Sequence, residues 1–288
     1  MIVHFDADVL VYRAGFAAEH TYWDLTWEPQ KDLRFTREFE SRKELEEFRE
    51  KEGIDSLSSS ISARVVAEPV EHALFNARSI LKTVKEELQA DNLILYLSGP
   101  TNFRLGIATI RPYKGKRDPD HKPVHASAIK AMLRREYDVV TSDGQEADDD
   151  MATAHYAMWL RDPYSTVIAT IDKDLDMVPG LHYNFAKKEK YFLDEVEALR
   201  KFYEQLLKGD TVDNIQGVPG IGKAKAAKAL AGCNNEWAMY DKVKELYVES
   251  YGDKADEALL ETGRLLWMRR QPNEWWSPPS QGDDIANT

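Results

Sequence analysis

Three short apolar runs constrain this chain's fold more than any other feature. They lie at residues 2–5, 93–97 and 166–171, and they read as buried strands. The stretches between them carry helical periodicity. Within residues 69–89, Val70, Ala73, Leu74, Ala77, Ile80, Leu81, Val84 and Leu88 fall along one face. Residues 146–160 and 127–136 are further helix candidates. Strands separated by helices predict an α/β fold with a mainly parallel central sheet. Such sheets bind ligands beyond the carboxyl ends of their strands. Polar residues follow each run almost at once, and two of those turns carry aspartates.

The intervening regions differ in character. Residues 22–67 are rich in charge and end in a serine run, and they read as an insertion built of a hairpin and a charged helix. Residues 195–270 read as all-helical, and 271–288 as an irregular tail with Trp275 and Trp276. The expected organisation is an α/β domain over 1–194, a helical region over 195–270 and the tail. No stretch approaches 18 apolar residues, so no membrane span is expected. The N-terminus lacks the basic and apolar regions of a signal peptide. Cys233 is the only cysteine, which excludes an internal disulfide and a cysteine-rich zinc site. A reducing cytoplasm fits, that of a host if the gene is a phage's.

Acidic residues recur at element boundaries. Asp6-Ala7-Asp8 follows the first run, Glu146-Ala147-Asp148-Asp149-Asp150 opens a helix, and Asp172-Lys173-Asp174-Leu175-Asp176 follows the third run. Asp210 and Asp213 form a fourth pair. Asp143 and Glu146 have the spacing of a capping box. Carboxylates converging at about 4 Å repel by on the order of a few kcal/mol per pair at an effective dielectric near 20. Protons, lysines or metals must neutralise them. All-oxygen donors favour Mg²⁺ or Mn²⁺. Two such ions about 4 Å apart can clamp a phosphodiester for in-line hydrolysis. A calcium loop starting at Asp172 is excluded, because its sixth position is Met177 rather than glycine.

The net charge is −12, which taken alone argues against a nucleic-acid partner. The bases are nonetheless gathered at 111–122, 187–190 and 223–228. Gly217-Val218-Pro219-Gly220-Ile221-Gly222-Lys223 precedes a helix over 224–231, with Lys225 in its first turn. Pro219 presets a turn, while Gly220 and Gly222 permit positive φ. The helix start offers free amides to a phosphate, with Lys223 alongside. This is the helix-hairpin-helix pattern, and its spacing is not that of a Walker loop. Arg111-Pro112-Tyr113-Lys114-Gly115-Lys116-Arg117 combines cations with an aromatic ring, a pairing able to hold a phosphate backbone and stack on a base.

Taken together, these motifs resemble the 5′-nuclease superfamily, especially bacteriophage 5′–3′ exonucleases and flap endonucleases. The matching motifs, in order, are Tyr113–Arg117, Glu146–Asp149, Thr170–Asp174 and Gly209–Gly222. The resemblance implies a PIN-like core, a helical arch over 111–136 and a C-terminal helix-hairpin-helix. It implies that Asp6, Glu146 and Asp148 serve one metal ion, and that Asp149, Asp172, Asp174, Asp210 and Asp213 lie in or beside a second. The ions would be two Mg²⁺ or Mn²⁺. Lys114 and Arg117 would meet the scissile phosphate. Tyr113, Lys116, Gly217, Gly220, Gly222, Lys223 and Lys225 would contact DNA, and hairpin carbonyls could hold a K⁺.

One departure stands out. The family usually carries an aspartate after its second strand, before an aromatic-Arg pair. Here residues 97–104 contain no acid. The expected activity is hydrolysis of DNA with 5′ ends or flaps, in phage-type replication or repair. The alternatives are an RNase H-like or PIN-type ribonuclease, with RNA–DNA hybrid among its substrates, and a DNA-binding module weakened in catalysis. With no polymerase region after residue 288, a separate polymerase or single-strand-binding protein is the expected partner.

Overall fold

The opening apolar run becomes the middle of a six-stranded sheet in the computed structural model, which describes residues 1–30, 33–116 and 122–280. In chain order the elements are β1 (Ile2–Asp6), α1 (Ala7–Phe16), β2 (Glu19–Gln30), β3 (Leu33–Phe39), α2 (Arg42–Lys51), β4 (Ser59–Ala67), α3 (Val70–Glu87) and β5 (Asn92–Ser98). Next come α4 (Arg104–Ile107), α5 (Ala126–Glu136), β6 (Asp138–Ser142), α6 (Ala147–Trp159), β7 (Thr166–Ala169), β8 (Gly180–Asn184) and β9 (Glu189–Leu193). The chain continues through α7 (Glu195–Lys208), β10 (Gly209–Asp210), β11 (Ile215–Gln216), α8 (Lys223–Leu230), α9 (Glu236–Tyr251) and α10 (Ala255–Leu266). It divides into two compact units, one of Met1–Val9, Leu81–His121 and Glu136–Thr288, the other of Leu10–Ile80 and Lys122–Arg135.

The first unit holds the large sheet, ordered β6-β5-β1-β7-β8-β9. All its pairings are parallel except β8 with β9. The sheet is therefore mainly parallel, as the three apolar runs predict. Those runs are three of its four inner strands. Val3, Phe5, Leu95, Leu97, Val167, Ile168 and Ala169 are fully buried. Strands β6, β8 and β9 are additional to the reading from sequence. β6 and β9 are its edges, where apolar content is low and charge is tolerated, whereas β8 is an inner, buried strand whose short Gly-Leu-His-Tyr-Asn run is too polar to read as an apolar one. β9, for example, opens Glu189-Lys190.

Helix α6 lays Met151 and Ala152 against Ile168, Tyr96 and Leu175. Its capping box joins Glu146 to Asp149, not to Asp143. Asp143 instead accepts a bond from the Thr101 hydroxyl. In the C-terminal part, Phe202, Tyr203, Leu206, Met239, Val243, Tyr247, Leu259 and Leu266 share one buried cluster. That part is helical apart from the two-residue pair β10–β11. The tail is tied to it. Trp276 is buried, 5.5 Å from the Phe202 ring.

The second unit contains an antiparallel sheet ordered β3-β2-β4. The hairpin and charged helix expected over 22–67 are there, joined by a third strand, β4. The end of the serine run enters that strand because Ile61 alternates inward and packs against Leu25, Phe39 and Leu45. Ser41 caps α2 by accepting the Glu44 N–H at 3.2 Å. Among the described residues, no helix is long and apolar enough to cross a membrane.

Candidate active site

The site lies at the carboxyl ends of the parallel strands in the first unit. Asp6 ends β1 and is almost fully buried. Its Oδ1 accepts the Val9 N–H at 3.0 Å, and its Oδ2 accepts the Thr170 hydroxyl at 2.7 Å. The same hydroxyl accepts the Asp172 N–H at 2.9 Å. Asp172 Oδ1 in turn accepts the Asp174 N–H at 2.9 Å. One threonine thus couples the ends of β1 and β7. Gln205 of α7 donates to Asp174 Oδ1 at 2.9 Å and lies 3.5 Å from Asp210 Oδ2. Asp210 Oδ1 accepts the N–H groups of Val212 and Asp213, which fixes the turn between β10 and β11.

Charge brings these residues into one electrostatic unit. Burial pushes Asp6 up to about 7, and the charges of Asp8 and Asp172 push the same way. Burial and then Asp172 push Asp174 up to about 7. Asp148, on the first turn of α6, is driven well above the usual carboxylate range by burial, then by Asp6, Asp172, Glu146 and Asp149. These donors are oxygens that destabilise one another's charge, which is the chemistry a hard divalent cation relieves. Among the described residues, no three acids, histidines or cysteines already converge on a single point. The donor set fits such an ion in chemistry, and side-chain rotation would have to close it.

Basic groups hold several acids. Tyr113 donates between Glu146 Oε2 and Asp213 Oδ2, each 2.9 Å away. Lys114 pairs with Glu146 and lies 3.9 Å from Asp213. The loop is pinned from beneath: Lys114 N–H donates to the Asp213 carbonyl at 2.9 Å, and Asn214 Nδ2 to the Pro112 carbonyl at 3.0 Å. Lys114 sits at φ 56, a left-handed conformation uncommon for a lysine and persistent only where the surroundings enforce it.

Two expectations are corrected here. Tyr113 is buried at 6% exposure in the core cluster, with its hydroxyl on two acids, so its ring has no face to offer a base. Asp149 is fully buried, and Arg104 holds both its oxygens. The Arg269 N–H adds a bond at 3.3 Å. Arg104 donates also to the carbonyls of Leu265 and Trp267 at 2.8 Å. Burial alone would lower its pKa, yet Asp149 outweighs burial and raises it. Asp149 is therefore a buried ion-pair partner that ties α6 to the end of α10. Gln205 was not singled out from the sequence, while Thr170 and Arg104 lie in stretches compared with the family's motifs but carried no expected role. Gln205 had a signal, as a polar residue between Phe202 and Leu206 on the apolar face of α7.

Among the remaining expected residues, Lys116 is exposed, and Arg117 lies outside the described residues. In the hairpin, Gly217 must be glycine: a Cβ there would lie 2.3 Å from the Gly209 nitrogen. Gly220 takes φ +79, as expected. Gly222 does not; it is extended at φ −99 and caps α8. Lys223 and Lys225 are exposed on the first turn of α8, and Lys225 Nζ reaches the Gly220 carbonyl at 2.8 Å. At the end of β5, where no acid was found in sequence, the Ser98 N–H donates to Asp8 Oδ2 at 2.7 Å.

No family model matches the chain. Individual proteins do. A flap endonuclease, Xni, of Colwellia psychrerythraea is 29% identical over 180 residues, covering 57% of this chain and 61% of that protein. DNA polymerase I of Geobacillus stearothermophilus is 31% identical over 215 residues, covering 66% of this chain and 23% of the polymerase. DNA polymerase I of Bacillus subtilis is 28% identical over 204 residues, covering 64% and 22%. The chain thus spans less than two thirds of these relatives. Among solved structures, the bacteriophage T5 protein crystallised with metal ions aligns with a TM-score of 0.58 at 15% identity, over 92% of this chain and 88% of that one. The T5 flap endonuclease in a complex with DNA and metal ions aligns with a TM-score of 0.56 at 15% identity, over the same 92% and 88%. These two share the fold.

Proposed function

We propose that this chain is a member of the 5′-nuclease superfamily, a divalent-metal-dependent 5′–3′ exonuclease and flap endonuclease that hydrolyses DNA near 5′ ends. One observation carries the reading. Acids from β1, α6, the turn after β7 and the β10–β11 turn are gathered together, Asp6 buried and the others half-buried, and Asp6 and Asp174 are raised to about 7. A purely structural cluster would be expected to be paired off, as Asp149 is with Arg104.

Asp6, Glu146 and Asp148 would hold one ion, and Asp172, Asp174, Asp210 and Asp213 a second, each Mg²⁺ or Mn²⁺. When bound, such ions supply an acidified water and charge stabilisation at the phosphate. The chain's own residues set the geometry. Thr170 and Gln205 keep the carboxylates of Asp6 and Asp174 aimed. Lys114, poised beside Glu146, turns its ammonium to the scissile phosphate, and Arg117 acts with it. Lys116 contacts the backbone beyond. The amides at the start of α8, with Lys223 and Lys225, hold a duplex phosphate, and the turn over Gly217, Gly220 and Gly222 lets the DNA backbone approach. Carbonyls of that turn can take a K⁺. The substrate class is DNA with 5′ ends or flaps, with RNA–DNA hybrid as the second candidate. A separate polymerase or single-strand-binding protein would work alongside, in the host cytoplasm.

The test is cleavage of a 5′-labelled flap beside a nicked duplex with Mg²⁺, Mn²⁺ or EDTA. Metal-dependent release of short 5′ products is expected, and product sizes separate flap cutting from stepwise exonuclease action. Binding without cleavage in either metal would replace this reading with that of a DNA-binding module.

A further inference from the structure

The end of β5 carries no carboxylate, and its packing shows why. A Cβ at Gly99 would lie 2.1 Å from the Ser142 carbonyl oxygen, so position 99 admits no side chain. Pro100 follows. The Ser98 hydroxyl is engaged, accepting the Ala147 N–H at 3.1 Å where α6 begins. β5 nevertheless lies beside β1 and Asp6 in the sheet, between β1 and β6.

A carboxylate reaches this place from elsewhere. Asp8, on the first turn of α1, is half-buried, and its Oδ2 accepts the Ser98 N–H at 2.7 Å. That bond carries the side chain across from β1 to the end of β5. The same Ser98 joins Asp8 to the start of α6, where Glu146 and Asp148 sit. A first-turn acid can be explained by the helix dipole alone. That explanation does not account for a carboxylate fixed to the neighbouring strand, at a strand end where a side chain cannot grow.

We propose that Asp8 is a further carboxylate of the metal site, supplied from β1 in place of one that β5 cannot carry. It holds β5 through one oxygen and adds its charge to the site beside Asp6. This rests on the metal-dependent reading above.

The experiment is Mn²⁺ titration of the full chain without DNA, followed by calorimetry, with melting in EDTA as the measure of folding. Asp8→Asn keeps an oxygen for the Ser98 N–H and loses the charge. It is expected to melt like the parent in EDTA and to bind Mn²⁺ about 10- to 100-fold more weakly. Asp8→Glu, which keeps the charge, is expected to stay within a few-fold of the parent, and it decides the matter if Asp8→Asn is itself unstable. Unchanged Mn²⁺ affinity in Asp8→Asn, with Asp8→Ala losing only thermal stability, would overturn the proposal and leave Asp8 as a splint for β5. A parent chain that takes up no Mn²⁺ would overturn the metal-dependent reading and this proposal together.

Discussion

Strand β1 and helix α6 each carry two kinds of buried ionisable group, and the two regions handle burial differently. Toward the sheet's carboxyl edge lie Asp6 and Asp148. Further in lie His4 of β1 and His155 of α6, joined by His182 of β8, with ring centroids 5.9 and 6.2 Å apart. Burial favours the neutral form in both regions. For the histidines that form is also the resting one. His4 is lowered to about 4 by burial, and His155 and His182 are lowered for the same reason. Neutral partners suit them. His4 Nδ1 meets the Tyr96 hydroxyl at 2.8 Å, His155 Nε2 donates to the Pro179 carbonyl at 3.1 Å, and His182 Nε2 to the Val178 carbonyl at 2.8 Å. The acids reach neutrality only near pH 7, facing other acids. The histidine region is structural polarity. The acidic region is charge held at the edge of ionising, which is what a functional site requires.

The sharpest test of that contrast is loss of cleavage. Asp172→Asn or Asp174→Asn is expected to reduce flap cleavage on the order of 1000-fold, about 4 kcal/mol of barrier, while largely sparing DNA binding in a gel-shift assay. Full activity in a folded Asp172/Asp174 double variant would end the metal model. Next is stability. Arg104→Met strands the buried Asp149 and is expected to lower unfolding free energy by about 3–5 kcal/mol, read by urea titration. A loss below about 1 kcal/mol would show that Asp149 finds other neutralisation. His155→Gln should cost about 1–3 kcal/mol by leaving buried partners unmet, with cleavage per folded molecule unchanged. A selective loss of cleavage would move the histidines into the site.

A smaller effect separates the regions by pH. Asp6 and Asp174, raised from 3.8 to about 7, lend stability that is complete below pH 3.8 and lost as pH rises through about 7. His4, lowered from 6.5 to about 4, lends stability present above 6.5 and lost as pH falls through about 4. In EDTA the two trends oppose each other below about pH 6.5, and the melting temperature should decline from about pH 6.5 to about pH 8, where Mg²⁺ should restore it. A profile unaffected by Mg²⁺ would break the comparison. Last, Lys223→Glu with Lys225→Glu should weaken duplex binding and reduce the log–log salt slope by about 2. An unchanged slope would remove the hairpin from the interface.

Much of this was legible because it rests on local chemistry. Buried strands are continuous apolar runs, so β1, β5 and β7 could be read directly, as could the acids that follow two of them. β6 and β9 escaped because an exposed strand needs no such run. The partners of the acids escaped for another reason. Arg104 and Asp149 are 45 positions apart, and Gln205 is 31 from Asp174. Only the fold brings them together. Tyr113 misled because an aromatic among cations can stack on a base or seal a core, and composition does not distinguish the two.

The contact between Gly209 and Gly217 has a consequence for how a duplex would be measured. Those two glycines bracket the turn carrying Asp210 and Asp213, and Val218 continues at once into the hairpin, its N–H bonded to the Leu207 carbonyl at 2.8 Å. Under the proposed function, grip and blade are thus one short hydrogen-bonded piece. On that reading the piece is a ruler: the cut falls a set distance from the held duplex, whatever the length of the strand beyond it.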